Sequence, residues 1–273
     1  MNNAAGRQNV PTLQYAYCGT AICSSNRHLC PKGYLKTPIH FQVAFSHPGH
    51  QRLRYNSYPA TTRRQPAMQP FPPIIRPLKF YAVVPDADWV ARMVEAGADT
   101  VQLRSKHLTG EALRQEIRLA IAATRGSHSQ LFINDHWQLA LEEGAYGVHL
   151  GQEDMDSADF AALARAGIRL GLSTHDEAEM ARALAVQPSY VACGAVFATN
   201  TKAMPTEPQG LDKLRRYVQQ AGNTPTVAIG GITLGNAPAV LATGVSSLAV
   251  VSAVTHAPDP AAAVLAFQKL WPE

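Results

Sequence analysis

Leu131–Asp154 reads LFINDHWQLALEEGAYGVHLGQED, and this stretch decides the fold class of the chain. It contains two short apolar runs separated by a helix-length segment, and an acidic, amide-rich tip follows each run. This order predicts a β-strand, an α-helix and a second, parallel β-strand. Both strands of such a unit point the same way. We therefore expect Asp135 and Asp154, which follow the two strands, to lie on one rim.

The two carboxylates have amide neighbours, Asn134 and Gln152. Proteins bind Mg²⁺ through one or two carboxylates together with phosphate oxygens of the substrate. The pattern therefore predicts a magnesium site formed by Asp135 and Asp154. The alternative is that both residues are helix N-caps or turn residues, which are common positions for Asp.

Strand and helix patterns alternate from Lys79 to the end of the chain. Eight βα units predict an α/β fold, a (β/α)₈ TIM barrel over residues 76–273. A doubly wound open sheet is the competing architecture, but it has no need of eight units. Within this pattern, Thr174 and Glu177 have the spacing of a capping box, which predicts Thr174 as the cap that opens the fifth helix, Ala178 to Val186.

Residues 1–75 differ from the rest of the chain in charge. No Asp or Glu precedes Asp86, whereas ten Lys or Arg do, eight of them within residues 1–75, so the net charge of +4 comes from this segment. It lacks helical or strand periodicity of useful length, and we predict a basic, disordered N-terminal extension. An organelle transit peptide and a native start at Met68 are two alternatives.

Composition also limits the partners. A basic chain raises the question of nucleic acid, but here the basic excess lies outside the predicted barrel, so we expect no nucleic-acid partner. No apolar run is long enough to span a membrane, and we expect no membrane partner. Cys193 lies in an apolar strand pattern; a reduced, buried thiol there fits a cytoplasmic protein.

Chemistry in such barrels lies at the carboxyl ends of the strands. Gln102, Arg104 and Lys106 end the second strand at alternate positions, which places all three on one side of an extended segment. An Arg and a Lys side by side suit a polyanion, because Arg can bind two phosphate oxygens at once. The alternative is a solvated basic turn.

Two later strand ends also suggest phosphate binding. Thr199–Lys202, with two hydroxyls and an ammonium group, follows strand six. Gly230–Gly231 follow strand seven and Ser252 ends strand eight; loops at these positions form the phosphate site of many barrels. The alternative for the glycine pair is a tight turn. Taken alone, Ser173 predicts a turn hydroxyl, and His149 predicts a packed histidine rather than a base.

Seven motifs at these strand ends, in order, resemble the thiamine phosphate synthase family. They are QLRSK (Gln102–Lys106), FIND (Phe132–Asp135), GVHLGQED (Gly147–Asp154), GLSTH (Gly171–His175), TNTK (Thr199–Lys202), AIGGI (Ala228–Ile232) and AVVSA (Ala249–Ala253). The resemblance covers roughly Phe71 to the C-terminus. It implies a transferase of thiamine biosynthesis that acts on small molecules with one Mg²⁺ per subunit, and it is compatible with a homo-oligomer.

The implied reaction joins 4-amino-2-methyl-5-(diphosphooxymethyl)pyrimidine to 4-methyl-5-(2-phosphoethyl)thiazole, or its carboxylated form, and releases diphosphate. The family's pyrimidine diphosphate ligands correspond to Gln102, Leu103, Arg104, Ser105, Lys106, Asn134, Ser173 and Lys202. Its thiazole phosphate ligands correspond to Thr199, Asn200, Thr201, Gly231, Val251 and Ser252. By the same resemblance Asp135 and Asp154 are metal ligands, and Arg104, Lys106 and Lys202 are catalytic.

The chemistry agrees with the residues. Diphosphate leaves from a benzylic-type carbon on an electron-rich aminopyrimidine, so a carbocation-like step needs charge neutralisation and no protein nucleophile. One alternative is a related barrel that isomerises a thiazole phosphate, which would not need the full diphosphate and Mg²⁺ set. Another is a non-catalytic sensor of a phosphate ligand, with the extension as an interaction arm.

Overall fold

The computed structural model describes residues 69–199, 201 and 207–271. Eight parallel strands form a closed barrel in which each strand pairs with its neighbours in the chain and β8 pairs with β1. The predicted (β/α)₈ barrel is thus confirmed. The strands are β1 Phe80–Val84, β2 Thr100–Leu103, β3 Gln130–Asn134, β4 Gly147–Leu150, β5 Arg169–Thr174, β6 Tyr190–Gly194, β7 Thr226–Ile229 and β8 Ser247–Val250.

Helices connect the strands on the outside. Within the described ranges they are α1 Ala87–Glu95, α2 Gly110–Thr124, α3 Trp137–Glu142, α4 Phe160–Arg165, α5 Glu177–Ala185, α6 Gly210–Ala221, α7 Ala237–Leu241, α8 Ser252–Thr255 and α9 Pro260–Gln268. The short helix α8 was not predicted, because four residues are too few to show a helical period. A 3₁₀ turn, Asp154–Asp156, follows β4. None of the described helices is long and apolar enough to cross a membrane.

The core has two layers because a barrel strand is buried on both faces. Alternate residues of β1 show this: Ala82 and Val84 pack towards the helices, whereas Tyr81 and Val83 belong to a separate interior cluster. In six of the eight strands every residue is buried. The interior layer therefore forms the packed support beneath the carboxyl ends of the strands.

Aromatic rings fill the barrel interior, and glycines make room for them. Phe132 and Tyr190 meet edge to face, with their ring centroids 5.1 Å apart. A Cβ atom at Gly147 would overlap the ring of Phe132, and one at Gly171 would overlap the ring of Tyr190. The two glycines are therefore required by packing inside the barrel.

Gly171→Ala should lower the free energy of unfolding by about 1–3 kcal/mol, the usual cost of overpacking a core. The new methyl group meets the Tyr190 ring in a fully buried position, so the ring must move. Urea denaturation measures the change. Gly235→Ala is the control, since its Cβ would make only an ordinary contact with Thr233; equal stability of the two variants would contradict the packing argument.

The predicted capping box at the start of α5 is wrong. Thr174 is still part of β5, and its hydroxyl donates to the carbonyl of Ala192 on β6 at 3.0 Å. Asp176 is the N-cap instead, and its carboxylate accepts from the backbone N–H of Glu179 at 2.7 Å. Because β5 extends through Thr174, the cap lies two residues further along the chain than predicted.

Residues that precede β1 contact the barrel. The N–H of Phe71 donates to the carbonyl of Gln187 at 3.1 Å, and its ring meets Phe160 edge to face. Arg169 donates to the carbonyl of Pro73 at 3.0 Å. The predicted extension comprises residues 1–75, and its residues 1–68 lie outside the described residues. Its boundary with the barrel stays a prediction.

Candidate functional site

A pocket opens at the carboxyl ends of the barrel strands, where the sequence placed its candidate residues. Eleven of the predicted ligands line it. They are Gln102, Arg104, Lys106, Asn134, Asp135, Ser173, Thr199, Thr201, Gly231, Val251 and Ser252. Asn200 and Lys202 lie outside the described residues, so their predicted roles rest on the sequence alone.

The end of β2 shows the expected alternation. Gln102, Arg104 and Lys106 line the pocket, whereas Leu103 and Ser105 are not among the lining residues. Leu103 packs in the cluster between strands and helices with 1% of its surface exposed, and Ser105 is 7% exposed. Leu103 and Ser105 therefore lie outside the pocket lining, and their predicted contacts with the substrate stay predictions.

Charge at this rim is arranged around Asp135. The Lys106 ammonium donates to Asp135 Oδ2 at 2.6 Å, so a predicted phosphate ligand and a predicted metal ligand are in contact. Asp135 has a left-handed backbone, φ 64°, and its N–H donates to the carbonyl of His149 at 2.9 Å. Among the described residues the Arg104 guanidinium has no ion-pair partner. It is thus free to bind an anion.

Asp154 opens the 3₁₀ turn after β4 and does not line the pocket itself. Its Oδ2 accepts from the N–H of Gly151, a lining residue, at 2.9 Å. Burial raises the pKa of Asp154 above its ordinary value; the Gly151 N–H opposes this, and the nearby charge of Asp135 adds to it. Asp154 is thus held against the pocket residue Gly151, and its pairing with Asp135 around a metal stays a prediction.

These two carboxylates form a donor set that fits Mg²⁺. The oxygens of Asp135 and Asp154 are hard ligands, and Mg²⁺ in phosphate sites uses only one or two carboxylates. No group of three or more His, Cys, Asp or Glu side chains in the described part of the chain is placed to hold a metal alone. The remaining ligands would therefore come from a bound phosphate and water.

The ends of β7 and β8 form a further part of the pocket. Gly230 and Gly231 both have positive φ, 102° and 64°. A Cβ at Gly231 would lie 2.6 Å from the carbonyl oxygen of Ala198, in the loop after β6. The glycine pair is thus a tight turn, as the alternative held, and it also lines the pocket. Ser252, the first residue of α8, belongs to the same part.

Below the pocket, a series of hydrogen bonds crosses the barrel interior. Gln102 Nε2 donates to the Tyr81 hydroxyl at 3.1 Å, and the hydroxyls of Tyr81 and Tyr190 are 2.7 Å apart. His149 Nδ1 lies 2.7 Å from the Tyr190 hydroxyl, and His149 Nε2 lies 2.8 Å from Ser173 Oγ. His149 is packed, as predicted, but it also lines the pocket. Ser173 belongs to β5 rather than to a turn.

Sequence reasoning gave no role to two further pocket residues. Tyr81 lies inside β1, where nothing in an apolar run distinguishes the face towards the barrel axis from the face towards the helices. His175 follows β5, and its Nδ1 lies 2.7 Å from Glu179 Oε2. His175 could have been predicted as a pocket residue, because it comes directly after Ser173 and Thr174 at the carboxyl end of a strand. Cys193, predicted to be buried, is 1% exposed, and burial raises the pKa of its thiol to about 12.

The chain is similar to known proteins over most of the barrel. A family model described as thiamine monophosphate synthase matches residues 80–254. The chain is 71% identical over 201 residues to a thiamine-phosphate synthase of Neisseria meningitidis serogroup A, which covers 74% of this chain and 98% of that protein. It is 54% identical over 190 residues to a thiamine-phosphate synthase of Serratia proteamaculans, with 70% and 90% covered.

Solved structures give the same result. A thiamine phosphate pyrophosphorylase from Pyrococcus furiosus is 32% identical, with a TM-score of 0.63 over 71% of this chain and 95% of that one. A 3-hexulose-6-phosphate synthase is 18% identical, with a TM-score of 0.54 over 71% of this chain and 100% of that one. At that identity the second likeness shows the barrel fold alone.

Proposed function

Because the chain belongs to the thiamine monophosphate synthase family, and is therefore a transferase that acts on small molecules, we propose the specific reaction that its pocket performs. It joins the aminopyrimidine diphosphate to the thiazole phosphate, giving thiamine phosphate and diphosphate. The observation that carries this proposal is one pocket lined by anion-binding groups from two sets of strand ends, here called its first and second side. Arg104 and Lys106 form the first side, after β2, and Gly231 and Ser252 form the second, after β7 and β8.

The first side suits a diphosphate that leaves. Arg104 has no ion-pair partner among the described residues, and Lys106 lies beside it at the end of β2. As the carbon–oxygen bond breaks, negative charge grows on the departing oxygens, and preorganised cations stabilise that charge. Lys202, from the sequence, would add a third cation. The thiazole nitrogen is the attacking group in this reaction, so the reaction needs no nucleophile from the protein.

Asp135 and Asp154 would hold the Mg²⁺ that this chemistry uses. When bound, Mg²⁺ neutralises charge on the diphosphate and so favours its departure. Lys106, which now pairs with Asp135 at 2.6 Å, keeps the carboxylate oriented and is itself within reach of an anion bound there. The carboxylates therefore bind the metal, and the cations bind the phosphates.

The second side suits a phosphate monoester. Loops after the seventh and eighth strands bind phosphate through backbone N–H groups in many barrels. Gly231 and Val251 supply backbone here, and Ser252 supplies a hydroxyl. Thr199 and Thr201, across the loop after β6, add two more hydroxyls to the same pocket. Holding the thiazole at this end aims its nitrogen at the pyrimidine carbon.

Ser252→Ala should raise the KM for the thiazole phosphate about tenfold, the loss expected for one hydrogen bond to a charged group. The KM for the pyrimidine diphosphate should stay unchanged, since Ser252 is assigned to the thiazole phosphate. Initial-rate kinetics with each substrate varied in turn measure both values. A rise confined to the pyrimidine KM would show that the two sides have been assigned the wrong way round.

The reaction itself is tested with purified protein and both substrates, with and without Mg²⁺, by measuring diphosphate and thiamine phosphate. We expect both products in equal amounts and only with the metal. An isomerase would change the thiazole phosphate alone, without diphosphate. A sensor would bind a substrate, visible by calorimetry, and release nothing. Either outcome would overturn the proposal.

A further inference from the structure

The hydrogen bonds beneath the pocket form one unbroken chain between two candidate ligand-binding residues. It runs from Gln102 through Tyr81, Tyr190 and His149 to Ser173. Both tyrosines are at most 1% exposed, and His149 is 7% exposed. The chain crosses from β2 to β5 through the barrel axis, so it links opposite parts of the pocket floor.

The contacts from Tyr81 to Ser173 allow two directions of donation, and in one of them each group has its proton placed by the group before it. The Gln102 amide N–H donates to Tyr81, and the only described acceptor for the Tyr81 proton is then the Tyr190 oxygen. That contact holds one proton, so the Tyr190 proton points to His149 Nδ1. A neutral imidazole whose Nδ1 accepts carries its proton on Nε2. His149 Nε2–H therefore donates to Ser173 Oγ.

Burial keeps both tyrosines protonated. It raises the pKa of Tyr81 and of Tyr190 above the ordinary value of a phenol, so both keep their protons at neutral pH. Phe132 packs edge to face against Tyr190, and Gly171 leaves the space that the Tyr190 ring occupies. The donors and acceptors are thus held in place by packing, and in a low-dielectric interior each bond polarises the next.

We propose that this chain is a directional relay of hydrogen bonds. Tyr190 and His149 act as positioning residues, and they leave the Ser173 O–H free to donate a hydrogen bond into the pocket. With His149 Nε2–H donating to its oxygen, the Ser173 hydroxyl can donate its own hydrogen bond to an anion. The opposite direction would turn the Ser173 proton towards His149, and the hydroxyl could then only accept. This inference rests on the proposed function, in which Ser173 contacts the diphosphate.

The substrate selects the same direction at both ends. In the proposed order Gln102 uses its amide N–H inside the barrel, which leaves the amide oxygen to accept a hydrogen bond from an amino group. The aminopyrimidine diphosphate carries an amino donor and an anionic acceptor on one molecule. A ligand without the amino group, or without the diphosphate, would favour the relay at one end only.

The first test is the tautomer of His149, measured on ¹⁵N-histidine-labelled protein by long-range ¹H–¹⁵N NMR without any substrate. The resonances are assigned by their absence in His149→Gln. We expect the Nε2–H tautomer in the native protein. In Tyr190→Phe the donor to Nδ1 is gone, and we expect Nδ1 to become protonated in part. A native ring protonated on Nδ1, or on both nitrogens, overturns the relay.

The second test is a double-mutant cycle on turnover. Tyr190→Phe should lower kcat about tenfold with little change in either KM. In a Ser173→Ala background it should have no further effect, because the relay acts through that hydroxyl. Tyr81→Phe is the matched control, equally buried, and should cost less than Tyr190→Phe because Tyr190 can still donate to His149.

A purely structural role predicts a different pattern. Both tyrosine variants would then lower stability alike, and the effect of Tyr190→Phe would add to that of Ser173→Ala. Thermal unfolding of each variant separates the two cases, and the native tautomer decides if Tyr190→Phe does not fold. Failure of the proposed function would appear separately, as the absence of diphosphate release by the native protein.

Discussion

Replacing Asp135 by Asn should lower turnover about a hundredfold or more, the scale on which preorganised charge acts in catalysis. Asp135 has the left-handed backbone conformation, φ 64°, which Asn tolerates and most other residues do not. The substitution therefore removes the charge while keeping the backbone. It takes a ligand from the proposed metal pair with Asp154 and the partner from Lys106. Steady-state rates over a Mg²⁺ titration measure the loss.

The control for Asp135→Asn is Asp156→Asn. Asp156 is also an acidic residue at the end of the βα unit, but its exposed carboxylate pairs with Arg182 at 2.6 Å and does not line the pocket. Its loss should leave turnover within twofold, in line with the small energy of an exposed ion pair. We expect Asp135→Asn to need more Mg²⁺ for half-maximal rate. Unchanged turnover and Mg²⁺ dependence would remove Asp135 from the mechanism.

Arg104→Gln should cost about as much, a hundredfold or more in turnover, with little loss of stability. Arg104 lines the pocket and has no ion-pair partner in the described part of the chain, so its replacement leaves no buried charge unpaired. What is lost is a cation that can bind two phosphate oxygens as the charge on them grows. Single-turnover rates of diphosphate release report on this step directly.

Two variants sharpen the Arg104 experiment. Arg104→Lys keeps the charge but not the two-pronged geometry, and we expect an intermediate rate. Arg125→Gln removes an exposed Arg at the end of α2, away from the pocket, and should leave the rate unchanged. The free energy of unfolding of Arg104→Gln is compared with its loss in rate, expressed as a free energy. If the two losses are equal, Arg104 supports the fold rather than the leaving group.

Much of the barrel mouth could be predicted from local patterns. The position of Asp135 directly after an apolar run was enough to place it on the rim, because parallel strand ends meet at one edge. The alternation of Gln102, Arg104 and Lys106 separated pocket residues from Leu103, since side chains of a strand alternate between its faces. Both arguments use only the pattern of apolar and polar residues over a few neighbouring positions.

Other features depended on contacts between distant residues. Which face of the Tyr81 strand meets the barrel axis was not visible, because both faces of a buried parallel strand are apolar. The cap of the fifth helix was misplaced because the Thr174 hydroxyl bonds to Ala192 on the next strand rather than to its own helix. The contact between Lys106 and Asp135 joins residues that local periodicity treats separately.

The amino-acid sequence by itself determined the eight βα units and the charged and glycine-bearing residues at their ends, because strand and helix periods are set by neighbours along the chain. Only the tertiary structure decided how those ends are connected beneath the pocket. Gln102 and Ser173 come from strands that are not adjacent, and closure of the barrel brings Tyr81, Tyr190 and His149 between them. The direction of a hydrogen bond depends on its partner across space, which no local pattern records.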